Sequence, residues 1–402
     1  MNKGFAGRIA QAFIGSKLTL LLMVIFLIAG IWSSFLIPRE EEPQIDVPMA
    51  DIFIGYPGAE PEAVESHIMK PLEKAVANIT GVDYVYSTSM KDQGMLIVRF
   101  KVGEDIERSY VKLYNELMKY SDKLPDNATA PLVKTRSIND VPIMNLTLWS
   151  ENYSDVQLRT MANSLKDKIE NVKDISEVKT VGGRKREVNV AIQPLKLADY
   201  NVSLPMIARQ LKANHAKVSS GNLEQNNQSI VVSTGNFFKS VEDVKNLVIG
   251  TKDQQPIYLS QVANVSLTGE DPQQYVSFGY GPAHQAKANF PGEYPAVTLS
   301  IAKREGADAM NIADKITAQI PNYKKTIIPD DVHVETTRNY GESASHKVAE
   351  LLLHLIGAII AVTLVVMLAL GWRGGLVVFI SVPITFALTL LSYYLLDYTL
   401  NR

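Results

Sequence analysis

Three stretches of this chain are continuously apolar, and the long interval between the first two alternates. Leu18 to Ile37 and Gly374 to Leu396 contain no charged residue, and Leu351 to Leu370 contains only His354. A bilayer core takes roughly 20 apolar residues as a helix. The runs therefore predict transmembrane helices at 18–37, 349–370 and 374–396. Basic residues Lys3, Arg8 and Lys17 precede the first run, as they would in a secretory signal. Signal cores are usually ~7–15 residues and end at a small-x-small site. This run is longer and ends at Ile37 and Pro38, so it reads as a retained span.

Between the spans the periodicity switches repeatedly. Val47 to Ile54 alternates and is rich in branched residues, which predicts a strand. From Pro61, Val64, Ile68, Leu72 and Val76 recur at helical spacing, and Gly81 ends that element. Strands follow at 82–89 and 95–102, then a helix at 106–124. This β-α-β-β-α order is that of a split βαβ unit. A second such unit begins with a strand at 142–149, a helix at 156–172 and a strand at 176–181. It resumes with a strand at 295–301, a helix at 309–320 and a strand at 332–336. An insertion of about 184–273 divides it, with strands near 188–192, 230–233 and 257–259 and a helix at 205–214. The expected fold is thus three spanning helices plus a large α+β insert of two ferredoxin-like modules, the second carrying an inserted subdomain.

Charge fixes the expected orientation. Lys3, Arg8 and Lys17 lie before the first span, whereas Arg39 is followed by three glutamates, and a single Arg373 sits in the hairpin between the last two spans. Cytoplasmic loops carry the excess of Lys and Arg, so the N-terminus and that hairpin face the cytoplasm and the insert faces outward. Residues 1–17 place Phe5, Ile9, Phe13 and Ile14 near one helical face, as in a helix lying at the membrane surface. Across the 402 residues, 40 basic side chains face 42 acidic ones, which gives no basic field for nucleic acid. The absence of cysteine excludes thiolate chemistry and disulfides. No GxxxxGK[ST] loop is present, so nucleotide hydrolysis is not the expected energy source.

Several stretches resemble the resistance-nodulation-division (RND) transporters, in particular their hydrophobe and amphiphile efflux branch. They are IPREEEPQID, GYPGAEPEAVESHIMKPLEKAVANITGVDYVYSTS, DISEVKTVGGRKREVNVAIQPLKLADYNVS, LSQVANVSLTGED and GWRGGLVVFISVPITFALTLL, in that order along the whole chain. The resemblance implies an inner-membrane, proton-driven efflux permease that needs no cofactor. Residues 38–130 would be one porter subdomain, 131–183 with 274–339 a second, and 184–273 a docking subdomain. It also implies homotrimers working with a periplasmic adaptor (membrane fusion) protein and an outer-membrane channel. Substrate would lie against the second porter subdomain, for which Met144, Leu146, Val178, Val181, Phe278, Tyr280 and Phe290 are the candidates. Many members place Phe on these strands, where this chain has Val141 to Met144 and Val178 to Val181. The docking arm, Gly221 to Gln228, is also shorter than in many members.

The proton relay of such transporters is an aspartate pair in a fourth span and a lysine in a later one, and residues 1–402 contain neither. The chain is therefore expected to be an N-terminal part that moves no substrate alone. Asp397 reads as a residue at the membrane boundary. His346, Glu350 and His354 share one helical face, a spacing open to metal binding or proton passage but equally to a polar juxtamembrane stripe, and no metal site is expected. The alternatives to a permease are a membrane-anchored periplasmic sensor and a translocation accessory protein.

Overall fold

A computed structural model describes residues 13–39, 47–137, 140–225, 228–235, 237–396 and 398–400, with only the backbone given for 218–234. Most of the expected surface helix at 1–17, the Glu40–Asp46 part of IPREEEPQID, and Asp397 lie outside the described residues. Helix α1 spans Lys17–Leu36, and the Ser16 side chain caps it by accepting the Leu18 amide. The two later membrane helices are long and apolar enough to cross a bilayer as well. They are Tyr340–Leu370 and Trp372–Leu395, the last two helices of the chain. Gly371, at a φ of 82° that favours glycine, turns one into the other. At ~1.5 Å per residue, the 31 residues of the first of these run about 46 Å, well beyond a ~30 Å hydrocarbon core. Its first three turns therefore continue upward into the soluble insert.

The first module is a four-stranded antiparallel sheet. Strands β1 (Met49–Gly55), β2 (Val82–Met90), β3 (Gln93–Phe100) and β4 (Leu132–Arg136) lie in the order β2-β3-β1-β4. Helix α2 begins with Pro61 in its first turn and ends at Ala77. Pro71 has no N–H to return to the preceding turn, and the helix widens through a π turn at Glu65–Met69 just before it. Helix α3 (Ile106–Tyr120) starts on the Asp105 carboxylate, which accepts the Arg108 amide. The buried residues Ile52, Ile54, Leu96, Val98 and Phe100 meet Ile68, Leu72, Leu113 and Leu117 from these helices. β4 was not apparent in the sequence. It pairs with β1 from Met49↔Arg136 to Phe53↔Leu132, so the first sheet takes in residues that a boundary at 130/131 assigns to the second module. The physical reason is topological: a split βαβ unit closes with a last strand against its first.

The second module repeats the plan. β5 (Pro142–Trp149), helix α4 (Asp155–Ile169), β6 (Ile175–Val181), β14 (Tyr294–Lys303), helix α9 (Ala309–Thr326) and β15 (His333–Asn339) build it. β14 pairs with β5 on one side and with β6 on the other, and β15 pairs with β5. Ser154 and Gln157 form a reciprocal capping box at the start of α4. Leu158, Leu165 and Ile169 from α4, with Ile312 and Ile316 from α9, cover one face of the sheet.

The insertion between β6 and β14 adds helices α5 (Pro194–Tyr200), α6 (Leu204–Asn214), α7 (Val241–Lys245) and α8 (Leu259–Val262) and the strand pair β10 (Val248–Lys252) and β11 (Gln255–Tyr258). It has a core of its own around Ile207, Ile249, Leu259 and Val262. Its strands β7 (Arg186–Ile192) and β12 (Ala263–Gly269) pair side by side, so the chain leaves and re-enters the second module through one ladder. Arg184 closes the exit. Its Nε and Nη2 donate to the two Asp155 oxygens at 2.8 and 3.0 Å. The guanidinium beside Asp155 holds that carboxyl below the usual aspartate range. A depressed carboxyl stabilises the fold in full above the ordinary pKa of ~3.9 and loses that contribution as pH falls through the lower folded value. Strands β8 (Val218–Gln225) and β9 (Gln228–Thr234) form a hairpin whose last pair is Gln225↔Gln228, a brief arm.

Candidate functional site

Burial of one sheet face under α4 and α9 leaves the opposite face of the second module uncovered by any α-helix among the described residues. The pleat decides which side chains it carries. On β5, Met144, Leu146 and Leu148 point into the helix-covered core, whereas Asn145, Thr147 and Trp149 point the other way. Thr147 Oγ1 lies 2.9 Å from Thr298 Oγ1 and 3.0 Å from Thr337 Oγ1, so a row of hydroxyls forms the middle of this open face.

Its far end is aromatic. Trp149 is completely buried although it lies on the open side. His333, its partner across the ladder, stacks on the indole at 4.2 Å between centroids. Tyr294 stacks at 4.9 Å and Phe278 at 5.3 Å, while Phe290 and Tyr280 meet it edge-on at 5.1 and 5.8 Å. Phe278 belongs to the two-residue strand β13 (Ser277–Phe278), which pairs with Tyr294 and Pro295 of β14. Each such pair is worth about 0.5–1.5 kcal/mol beyond its buried area. The cluster is thus a cohesive apolar body on an otherwise polar face.

Two polar features mark it. Among the described residues the buried Trp149 Nε1 hydrogen has no acceptor, and an unpaired buried donor costs about 1–3 kcal/mol. Tyr280 donates its hydroxyl to Glu335 Oε1 at 2.8 Å. Burial, reinforced by that carboxylate, pushes the Tyr280 phenol up to about 12, so it stays a neutral donor at physiological pH.

The seven residues singled out from sequence separate by face. Phe278, Tyr280 and Phe290 converge on Trp149, and Val181, opposite Thr298 in the ladder, is 43% exposed. Met144, Leu146 and Val178 are fully buried against the helices. Sequence reasoning missed Trp149, Tyr294, His333 and Glu335. Aromatic side chains are present after all, supplied by Trp149 at the end of β5 and by the 278–294 segment rather than at the positions 141–144 and 178–181. The membrane-proximal stripe does not assemble: His346 Nε2 approaches Glu342 at 3.8 Å, and Glu350 pairs instead with Lys347 at 3.0 Å. No cluster of three metal-ligating side chains occurs among the described residues.

Comparison with known proteins matches the chain to a family. The model described as the AcrB/AcrD/AcrF family matches residues 9–402. The multidrug resistance protein MdtC of Yersinia enterocolitica is 27% identical over 387 residues, covering 96% of this chain and 36% of that protein. MdtC of Pectobacterium atrosepticum is 26% identical with the same coverage, and MdtC of Yersinia pseudotuberculosis is 27% identical. The chain therefore spans about a third of the length of the curated relatives it matches, at 36%.

Proposed function

The chain belongs to the AcrB/AcrD/AcrF family of RND efflux transporters, and we propose that it forms the N-terminal part of a proton-driven inner-membrane permease exporting hydrophobic and amphiphilic compounds. The observation that carries this is the helix-free sheet face of the second module, with a row of hydroxyls in its middle and an aromatic cluster at one end whose half-buried Phe278, Tyr280 and Phe290 pack on the buried Trp149. Such a surface suits a compound with one greasy and one polar end. We assign Phe278, Tyr280, Phe290 and Val181 to substrate contact, with the buried Trp149 as the body on which the three rings pack. Met144, Leu146 and Val178 act on it through the core, by fixing the sheet to α4 and α9.

In this proposal the permease is a homotrimer working with a periplasmic adaptor and an outer-membrane channel, and residues 184–273 provide the docking half. The apolar runs of the three spans contain no carboxylate, and their one Asp, Glu, Lys, Arg or His is His354, the fourth residue of its run at the membrane edge. Proton coupling needs an intramembrane group that changes charge, so it is assigned to spans outside these three.

Orientation is part of the proposal and is readily tested, because the chain has no native cysteine. Asn222→Cys should react with a membrane-impermeant maleimide in intact spheroplasts, and Arg373→Cys only after permeabilisation. The reverse pattern would place the insert in the cytoplasm and end the permease assignment.

A further inference from the structure

Pro38 and Arg39 lie on the connection from α1 into the first module, yet their contacts are made elsewhere. The Arg39 amide donates to Asp308 Oδ2 at 3.2 Å, and the guanidinium donates from Nη1 to Ser345 Oγ at 2.8 Å. The Pro38 carbonyl accepts the Leu400 amide at 2.9 Å, and Arg39 and Leu400 form a parallel bridge. Asp308 has a second task, because its Oδ1 accepts the Asn311 amide at 2.7 Å and so caps α9. The helix Tyr340–Leu370 closes the group. A Cβ at Gly341 would lie 2.6 Å from the Met310 Cα, so this helix rests on the backbone of the first turn of α9. Segments 38–39, 308–310, 341–345 and 398–400 therefore meet at one junction, at the insert-side ends of the three spans. An arginine at the end of a span commonly extends toward headgroups. Here it is held instead by a helix 306 residues further along the chain.

We infer that Arg39 is a pin that fastens α1 and the end of the third span to the second module, so that movement of these spans is delivered to α9 rather than to the first module into which α1 leads. Each contact has its own part. The Arg39 amide fastens the connection to the α9 cap, the guanidinium fastens it to the helix of the second span, and the Pro38 carbonyl brings in the third. Cap and pin share one carboxylate, so a pull on residues 38–39 acts directly on the first turn of α9. Arg39 is thus a positioning residue, remote in role from the substrate surface assigned above. The inference concerns which parts move together and does not rest on the permease proposal.

The test uses the full chain in lipid nanodiscs. No native cysteine is present, so Phe35→Cys on α1 and Lys325→Cys on α9, both exposed, carry a spin-label pair. Double electron–electron resonance should give a narrow distance distribution in the parent. Arg39→Ala and Ser345→Ala should each broaden it. Combining them should add nothing further, since both remove the same bond. Arg39→Lys, which keeps a charged donor, should restore part of the sharpness. Hydrogen exchange at the Leu400 amide should quicken about tenfold in both alanine variants, the low end of what a bond from a charged donor is worth. A second pair inside the module, Glu305→Cys with Lys325→Cys, should stay sharp throughout. An unchanged distribution between positions 35 and 325 in both alanine variants would overturn the pin. Broadening between 305 and 325 in the same variants would also overturn it, because loosening of the module itself would then be the cause.

Discussion

Trp149→Ala should lower the stability of the second module by about 3–5 kcal/mol, the range for removing a fully buried large aromatic side chain. Trp149 is the largest of the completely buried side chains, and five rings rest on it. Two losses add to the transfer term. The stacked and edge-on ring pairs disappear together, and the segment 278–294 loses the body against which it folds. One effect opposes them, because the unpaired indole N–H is removed as well. That offset of about 1–3 kcal/mol places the expected value nearer the lower end of the range. Val181→Ala, on the same face but 43% exposed, should change stability by well under half as much. Urea unfolding of the detergent-solubilised chain, followed by far-ultraviolet circular dichroism, measures both.

Gly30→Leu should have the second large effect, this time in the membrane. A Cβ at Gly30 would lie 2.2 Å from the Ala387 carbonyl oxygen and 2.4 Å from the Ala387 Cβ. Neither neighbour is the end of a flexible side chain, so α1 and the helix Trp372–Leu395 must move apart. Overpacking usually costs about 1–3 kcal/mol, and a backbone contact this close points to the upper end. Small residues let membrane helices approach in this way. Gly15→Leu is the control, because among the described residues no atom lies within 4 Å of a Cβ there. Titration with SDS should unfold Gly30→Leu at a clearly lower detergent fraction than either the parent or Gly15→Leu.

Much of the fold was legible because its signals are local. The predicted strand at 142–149 is β5, and the apolar stripe of Leu158, Leu165 and Ile169 faces the sheet as its spacing requires. β4 was not legible, since Leu132–Arg136 is short and mostly polar and its place depends on pairing with β1 some 80 residues away. The site divides in the same way. Phe278, Tyr280 and Phe290 stand out in a polar stretch as aromatic residues with no helix to join. Trp149 ends an apolar strand in which both faces are rich in buried residues, so its parity could not be read from the sequence. The same ambiguity put Met144 and Leu146 among the candidates, although their parity belongs to the helices. Only the register Trp149↔His333, with Ala296 on the other side, shows which face is open and what gathers there.

Photoaffinity labelling with an azide-bearing quaternary-ammonium amphiphile, applied to membranes containing the chain and mapped by mass spectrometry, tests the central claim most directly. Saturable labelling of peptides covering 276–294 and the Trp149 end of β5, displaced by unlabelled amphiphile, is the predicted result. Labelling confined to the lipid-facing surfaces of the three spanning helices, with the aromatic cluster untouched, would contradict it.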